Sequence, residues 1–216
     1  MINEVYEVSQ YLQGNDITEK KLYRVRYLMA KFYKEQGLQK LEIREKIFDW
    51  GKKNGIFFTF SINTVIYRVF EDTRPLRNNT KVHINDEDVK FINSRFDSVK
   101  VKTVALAVLC YAKVYADKDN EVNISTVDFA NWLHMQQPHI SARYLPELVD
   151  FDMLQRVDTE KCYFSWNEKK AYSKNRRYKI NLALKNEGRY ILENNNILKL
   201  ADEIFNSEES EEKLAM

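Results

Sequence analysis

Residues that turn the backbone sharply are scarce in this chain. It has 5 glycines and 3 prolines among 216 residues, and these two residue types dominate tight turns. The scarcity argues against an all-β protein with frequent hairpins, since most hairpin turns need such residues. Hydrophobic residues make up 44% of the chain, which is enough for packed cores. The composition therefore predicts a mainly helical protein with few tight turns.

Side chains that commonly bind metals are also few. The chain has 2 cysteines and 3 histidines, and neither Cys110 nor Cys162 belongs to a zinc-type spacing. Cys110 falls within an apolar helix, where a cysteine acts as a small core residue. His134 and His139 lie on either side of a predicted turn, which is poor geometry for a shared metal ion. We therefore expect no structural metal and no cofactor.

Sequence motifs of enzymes are missing as well. The chain has no glycine-rich phosphate loop, no nucleophile elbow and no H-E-x-x-H pair. Asp150 and Asp152 form a pair of acids at the end of a predicted helix. There we expect them to make turn hydrogen bonds rather than to act as general acid and base. The sequence predicts that the protein is not an enzyme.

Apolar runs are short throughout the chain. The longest runs from Val104 to Cys110, whereas a helix needs about 20 apolar residues to cross a bilayer. The chain also begins without an apolar signal segment. We expect a soluble protein of a reducing cytoplasm, without a membrane partner.

Net charge is nearly absent, but charge is unevenly distributed. The formal net charge is +2, so the whole chain gives no signal for a polyanionic partner. The segment 156–189 carries ten Lys or Arg against four Asp or Glu, whereas the segment 202–213 carries six acids and one lysine. This asymmetry places a basic segment shortly before an acidic tail.

The spacing of apolar residues divides the chain into two units. Residues 1–73 are predicted to form an N-terminal unit of three amphipathic helices, and residues 74–80 a polar linker. Residues 81–205 are predicted to form a second domain that ends in a helix, and residues 206–216 an acidic tail. Six basic residues at the start of the first unit are interpreted as a solvated face: Lys20, Lys21, Arg24, Arg26, Lys31 and Lys34.

The second domain is predicted to alternate helices with short strands. Strands are expected at 82–84, 122–124 and 177–182, and helices at 86–96, 99–115 and 187–205. Between them, the segment 125–166 has the pattern of two helices joined by a turn and followed by a β-hairpin. Ser125 caps the first of these helices, and Pro138 suits the first turn of the second.

This segment resembles bacterial winged-helix proteins. The residues Ser141-Ala142-Arg143-Tyr144-Leu145-Pro146-Glu147-Leu148, followed by Asp152-Met153-Leu154, are similar to the family pattern S-x-R-x-L-x-x-L…G-[LM]-[LI]. The chain departs from that pattern at Asp152, where the family usually has glycine, and at Pro146, where a polar helix former is usual. The resemblance implies a mainly α fold with a small β-wing, in which a three-helix N-terminal unit precedes a C-terminal winged-helix domain.

The resemblance also implies sequence-specific binding of duplex DNA, because the second helix of such a motif enters the major groove. Glutamine and arginine side chains are suited to contacts with adenine and guanine edges, and the basic hairpin to contacts with phosphates. The predicted DNA-binding residues are Gln136, Gln137, His139, Ser141, Arg143, Arg156, Lys161, Lys169, Lys170, Lys174, Arg176 and Arg177.

The biological setting is predicted from the general character of the chain. Its richness in Lys, Asn, Tyr and Ile resembles small replication or regulatory proteins of phages and plasmids. The expected role is replication initiation or transcription regulation, with replication or transcription proteins as partners of the N-terminal unit and a homodimer as one assembly. The alternative is a protein–protein adaptor, such as a helicase-loader-like or host-takeover protein, whose winged helix binds protein.

Overall fold

The computed structural model describes residues 2–15, 17–57, 62–157, 163–165, 170–172 and 176–206. For residue 20, residues 163–165 and 170–172, and residue 176, only the backbone is described. The described residues are mainly helical, with short antiparallel strands. The chain divides into two units, Ile2–Thr80 and Lys81–Met216.

The first unit contains one more helix than the sequence predicts. Its helices are α1 (Glu4–Leu12), a 3₁₀ turn (Glu19–Lys21), α2 (Leu22–Glu35), α3 (Lys40–Lys53) and α4 (Ile62–Glu71). The prediction of three helices was wrong because it did not recognise α1. Asn3 caps α1 by accepting a hydrogen bond from the backbone N of Tyr6 at 2.8 Å. The indole Nε1 of Trp50 donates to the carbonyl of Tyr11 at 2.9 Å and ties α1 to α3.

All four helices contribute to one apolar core. The buried residues are Val8 and Tyr11 of α1, Val25, Leu28 and Met29 of α2, Ile43, Ile47 and Trp50 of α3, and Ile62, Ile66 and Val69 of α4. Leu41, near the start of α3, is 64% exposed. At about 100° per residue, Leu41 points far from the side of α3 that carries Ile43 and Ile47.

The predicted solvated face of α2 is wrong for three of its cations. Lys31 is buried and lies 3.8 Å from Glu4 and 3.5 Å from Asp72. The guanidinium of Arg24 donates twice to Glu7, at 2.6 and 2.8 Å. Lys34 donates to two backbone carbonyls at the end of α4. Their partners lie in α1, in the last turn of α4 and just after it, so spacing within α2 alone could not identify them.

Residues 74–80 pack onto the first unit. Leu76 is 8% exposed, and its backbone N donates to Glu35. The carbonyl of Arg77 accepts hydrogen bonds from the backbone N of Glu4 and of Val5, and Asn78 forms a β-bridge with Asn3. The segment predicted as a linker thus closes the first unit against its own N-terminus.

The second unit combines helices with four antiparallel strand pairings among its described residues. In chain order its elements are β1 (Lys81–Ile84), α5 (Asp86–Arg95), α6 (Val99–Tyr115), β2 (Glu121–Ile124), α7 (Thr126–Trp132), α8 (Gln137–His139), a π-helical segment (Ile140–Tyr144), α9 (Leu145–Asp150), β3 (Leu154–Arg156), β4 (Tyr163–Ser165), β5 (Lys170–Tyr172), β6 (Arg176–Ile180), β7 (Tyr190–Glu193) and α10 (Ile197–Phe205). α5 and α6 match their predicted spans within a residue.

Helix α6 forms the centre of this unit. Every residue from Thr103 to Cys110 is buried, so burial of Cys110 in the core is confirmed. The helix contacts α5, α10, β1 and β2. A buried ion pair at 2.7 Å between Lys113 and Asp88 joins α6 to α5.

The strands form three small sheets. β2, β6 and β3 lie side by side in the order β2-β6-β3, β1 pairs with β7, and β4 pairs with β5. Val122, Ile124, Leu154, Tyr178 and Ile180 face the core from the three-stranded sheet. Alternation of buried and exposed residues sets its register, because a slip by one residue would expose this whole set.

The predicted helix 187–205 was wrong in its first part. Residues Tyr190–Glu193 form β7, and the helix begins only at Ile197. Gly188 has a φ of +137°, and a Cβ there would lie 2.1 Å from the carbonyl oxygen of Ile84, so the close pairing with β1 requires glycine. This pairing partner is about a hundred residues away in sequence.

Among the described residues, no helix combines the length and the apolar character needed to cross a lipid bilayer.

Candidate nucleic-acid interface

A tight turn orients the two helices of the predicted motif. His134 follows α7 with a φ of +51°, and the backbone N of Met135 donates to the carbonyl of Ala130 at 2.8 Å. This left-handed residue ends α7 and redirects the chain into α8. Trp132 is buried, and its indole Nε1 donates to the carbonyl of Asn195 at 2.9 Å. This hydrogen bond ties the C-terminal end of α7 to the segment before α10.

The helix that follows is continuous from 137 to 150 and is called helix 137–150 below. It includes the π-helical segment Ile140–Tyr144, in which the backbone N of Leu145 donates to the carbonyl of Ile140, five residues back. The next residue, Pro146, has no N–H to donate, and a proline ring collides with the carbonyl four residues earlier in an ordinary α-helix. The wider π turn relieves that collision.

One side of helix 137–150 is buried and the other is exposed. Ile140, Tyr144, Leu145 and Leu148 are each at most 5% exposed. Ile140, Leu145 and Leu148 therefore face the core. The predicted base-contacting residues Gln136, Gln137, His139 and Arg143 are exposed, and Ser141 is half-buried. The structure therefore brings these five side chains together at the N-terminal half of one helix.

Local contacts restrict several of these side chains. The amide Nε2 of Gln137 donates to the hydroxyl of Thr126 at 3.1 Å and links the helix to the start of α7. The rings of His139 and Tyr144 meet edge to face at 6.4 Å. The guanidinium carbon of Arg143 lies 5.5 Å from the centre of the Tyr144 ring. Such contacts reduce the entropy lost when a side chain binds a ligand.

The C-terminal end of helix 137–150 explains how Asp152 can stand where the winged-helix pattern usually has glycine. Asp152 has a φ of +57°, which is the conformation that glycine adopts most readily. The backbone N of Met153 donates to the carbonyl of Leu148, and that of Asp152 to the carbonyl of Val149. These two bonds define a Schellman cap. Aspartate tolerates this conformation better than most residues.

The adjoining strands carry the next part of the predicted site. Arg156 ends β3 and is exposed. Arg177 in β6 makes ion pairs with Asp117 at 2.7 Å and with Glu121 at 2.6 Å. The backbone N–H of Glu121 and the Arg177 guanidinium lower the pKa of Asp117. Exposed ion pairs of this kind contribute about 0–1 kcal/mol, so a phosphate can compete for Arg177.

The basic hairpin is described only in part. Lys161, Lys169 and Lys174 lie outside the described residues. Lys170 and Arg176 lie in β5 and β6, where only the backbone is described. β3 pairs antiparallel with β6, and β4 pairs antiparallel with β5.

Two further side chains near the start of α7 were not predicted to take part: Thr126 accepts the hydrogen bond from Gln137, and Val127 is 56% exposed. Lys179, which belongs to the basic segment 156–189, is exposed on β6 two residues from Arg177 on the same face. The position of Thr126 depends on the crossing of two helices, which no local pattern gives.

Acidic residues occupy the other end of the helix. Asp150 and Asp152 are exposed and Glu147 is half-buried, so only the N-terminal half lacks acids. No group of three or more histidine, cysteine or acidic side chains among the described residues is placed to hold a metal ion.

Comparisons with known proteins give no relative for this chain: no family model, no curated protein and no solved structure matches it.

Proposed function

We propose that the second unit contains a winged-helix domain that binds duplex DNA sequence-specifically. Support for the architecture comes from the order of its elements: helix α6, strand β2, helices α7 and 137–150, strand β3, a hairpin and strand β6. In the strand order β2-β6-β3, the strand β6 lies between β3 and β2, the strand that precedes the two helices. In such a domain helix 137–150 is the recognition helix and the hairpin is the wing.

The observation that carries the proposal is the exposed N-terminal half of helix 137–150. It presents two glutamines, a histidine and an arginine, while the opposite side is anchored by four buried residues. Recognition helices contact base edges with their N-terminal residues. Gln136 or Gln137 matches the donor–acceptor pattern of adenine, and Arg143 matches that of guanine.

Phosphate contacts would come from the basic residues beside the helix. Arg156 and Lys179 are exposed on β3 and β6, and the sequence adds Lys161, Lys169, Lys170 and Lys174 in the hairpin. Such contacts supply affinity and orientation but do not discriminate sequence. We propose that the protein acts in replication initiation or transcription regulation, and not as an enzyme.

A second candidate function rests on the opposite end of the same helix. Phe151 is 48% exposed and stands among Glu147, Asp150 and Asp152. An exposed aromatic ring with acidic neighbours suits a basic protein partner better than a phosphate backbone. In that case the domain is a protein–protein adaptor.

The salt dependence of binding to random-sequence duplex DNA distinguishes the two functions. Each phosphate contact releases a counterion, so affinity falls steeply as salt rises. A DNA-binding domain should bind at low salt and lose at least about tenfold in affinity between 50 and 200 mM salt. Absence of binding at low salt would reject DNA binding and favour the adaptor.

A further inference from the structure

The first unit has an exposed groove between α3 and α4 that the proposed DNA-binding surface does not use. It encloses about 230 Å³ and is lined by Lys40, Leu41, Arg44, Asn63, Ile66 and Tyr67. This surface is called the α3–α4 groove. Ile66 is 3% exposed, whereas Leu41 and Tyr67 are 64% and 59% exposed. Large apolar side chains exposed together on a helical surface indicate a binding site rather than a solvated one.

Cations border the groove and are held over aromatic rings. The ammonium of Lys40 lies 4.3 Å from the centre of the Tyr67 ring and 5.2 Å from that of Phe70. The guanidinium of Arg44 lies 5.4 Å from the Phe48 ring. Among the described residues, the lining of this groove contains no acidic side chain. Nearby Glu42 accepts a hydrogen bond from the backbone N of Gln39 at the start of α3.

We propose that the α3–α4 groove binds an acidic amphipathic helix of a partner protein. An apolar channel between two helices accepts the side chains of a third helix at i, i+3 or i+4, and i+7 spacing. Leu41, Ile66 and Tyr67 provide the apolar contacts. Lys40 and Arg44 pair with acidic residues flanking the apolar side of the incoming helix, which sets its charge preference.

A nucleic acid fits this surface less well. Bases bind single-strand surfaces by stacking on open ring faces, but Lys40 already lies over the face of Tyr67. The side chain of Leu41 is 64% exposed and offers a phosphate backbone neither a positive charge nor a hydrogen bond.

The test uses the full chain and a helix-stabilised peptide of about 15 residues. The peptide carries leucines at i, i+4 and i+7 and glutamates elsewhere, and binding is followed by fluorescence anisotropy. Three probes accompany it: a scrambled peptide of the same composition, a peptide with every glutamate replaced by lysine, and single-stranded DNA. Saturable binding of the acidic amphipathic peptide alone is expected. Binding of the scrambled or lysine peptide with equal affinity would overturn the proposal, and so would preferential binding of the DNA.

A matched pair of double variants locates the site. K40E/R44E reverses the two cations of the groove, and K46E/K53E makes the same change of net charge on exposed residues of the opposite side of α3. K40E/R44E should lower the affinity for the acidic peptide by about tenfold, or ~1.4 kcal/mol, and K46E/K53E should lower it by less than about twofold. Leu41→Ala, which truncates an exposed side chain, should lower the peptide affinity without changing the unfolding midpoint of the protein. Equal effects of the two double variants, or full affinity in L41A, would reject the groove as the site. None of these measurements depends on binding of duplex DNA.

Discussion

Leu148 lies at the base of helix 137–150 and has no exposed surface. Its replacement by alanine removes buried apolar atoms and leaves a cavity between the helix and the core. We expect Leu148→Ala to reduce the free energy of unfolding of the second unit by about 2–5 kcal/mol. Ala142, which is exposed on the same helix, provides a control. Ala142→Ser should change the free energy of unfolding by less than about 0.5 kcal/mol. Similar small effects of both changes in urea denaturation would contradict the described orientation of the helix.

Glu7 makes the first unit sensitive to acid. Burial alone would raise the pKa of Glu7, but the hydrogen bonds from Arg24 outweigh it, and the pKa falls from 4.5 to about 2. A carboxyl with a lowered folded pKa stabilises the fold above its unfolded pKa and loses that effect as the pH falls. The contribution, roughly 3 kcal/mol at most, should therefore disappear between about pH 4.5 and pH 2.

Glu7→Gln tests this contribution because glutamine does not titrate. Between about pH 4.5 and pH 2, the free energy of unfolding of the first unit should decrease less in Glu7→Gln than in the wild type. Hydrogen exchange of the α1 and α2 amides measures this decrease. Glu71→Gln, a change at an exposed acid of the same unit, should leave the wild-type pH profile in place. A profile for Glu7→Gln that matches the wild type would show that the Arg24 pair does not govern acid stability.

At the scale of the element, the end of helix 137–150 depends on one left-handed residue. Asp152 caps the helix at a φ of +57°, where glycine is unstrained and alanine is not. Asp152→Gly and Asp152→Ala remove the same charge, so comparison of the two isolates the backbone effect. Asp152→Gly should be more stable than Asp152→Ala by about 1 kcal/mol in thermal or urea unfolding. An alanine variant of equal or greater stability would contradict the Schellman cap.

Elements with a strong local pattern were predictable from sequence. Helix α6 was predicted at its observed bounds because its apolar residues are dense, and α5 because Asn85 marks its start. β7 was missed because its pairing partner β1 lies about a hundred residues away in the sequence. α1 was missed although Val5, Val8 and Leu12 follow helical spacing, and its contacts with Arg24 and Trp50 are formed only on folding.

Part of the candidate site was predictable from the sequence, and part was not. The exposed side chains of helix 137–150 follow from its apolar stripe, because the same spacing that buries Leu145 and Leu148 exposes Arg143. The ion pairs of Arg177 and the link between Gln137 and Thr126 were not predictable, because each joins residues that are brought together only by folding. The α3–α4 groove was missed for the same reason.

At the scale of the whole molecule, the acidic tail is expected to regulate the basic segment. Residues 207–216, which lie outside the described residues, carry four glutamates and one lysine. A tethered acidic segment competes with phosphates for the same cations, within a screening length of about 8 Å at physiological salt. Deletion of residues 207–216 should therefore tighten binding to random duplex DNA at low salt, with a difference that shrinks as salt rises.

The tail should affect specific binding less, because base contacts are not available to a peptide carboxylate. A control variant retains the length of the tail and replaces its four glutamates by glutamine, and it should reproduce the effect of the deletion. If neither change alters the affinity for random duplex DNA across the salt series, the tail does not compete for the DNA-binding surface.

The central claim is that helix 137–150 reads base pairs in duplex DNA. Its most direct test is the affinity of wild type and Arg143→Ala for a duplex selected from a random pool, compared with a random duplex of equal length. We expect wild type to prefer the selected duplex by about a thousandfold or more. Arg143→Ala should lose about 1–3 kcal/mol of that preference with its circular dichroism unchanged, whereas Arg95→Ala on α5 should retain it. No selected sequence, or an unchanged preference in Arg143→Ala, would contradict the account.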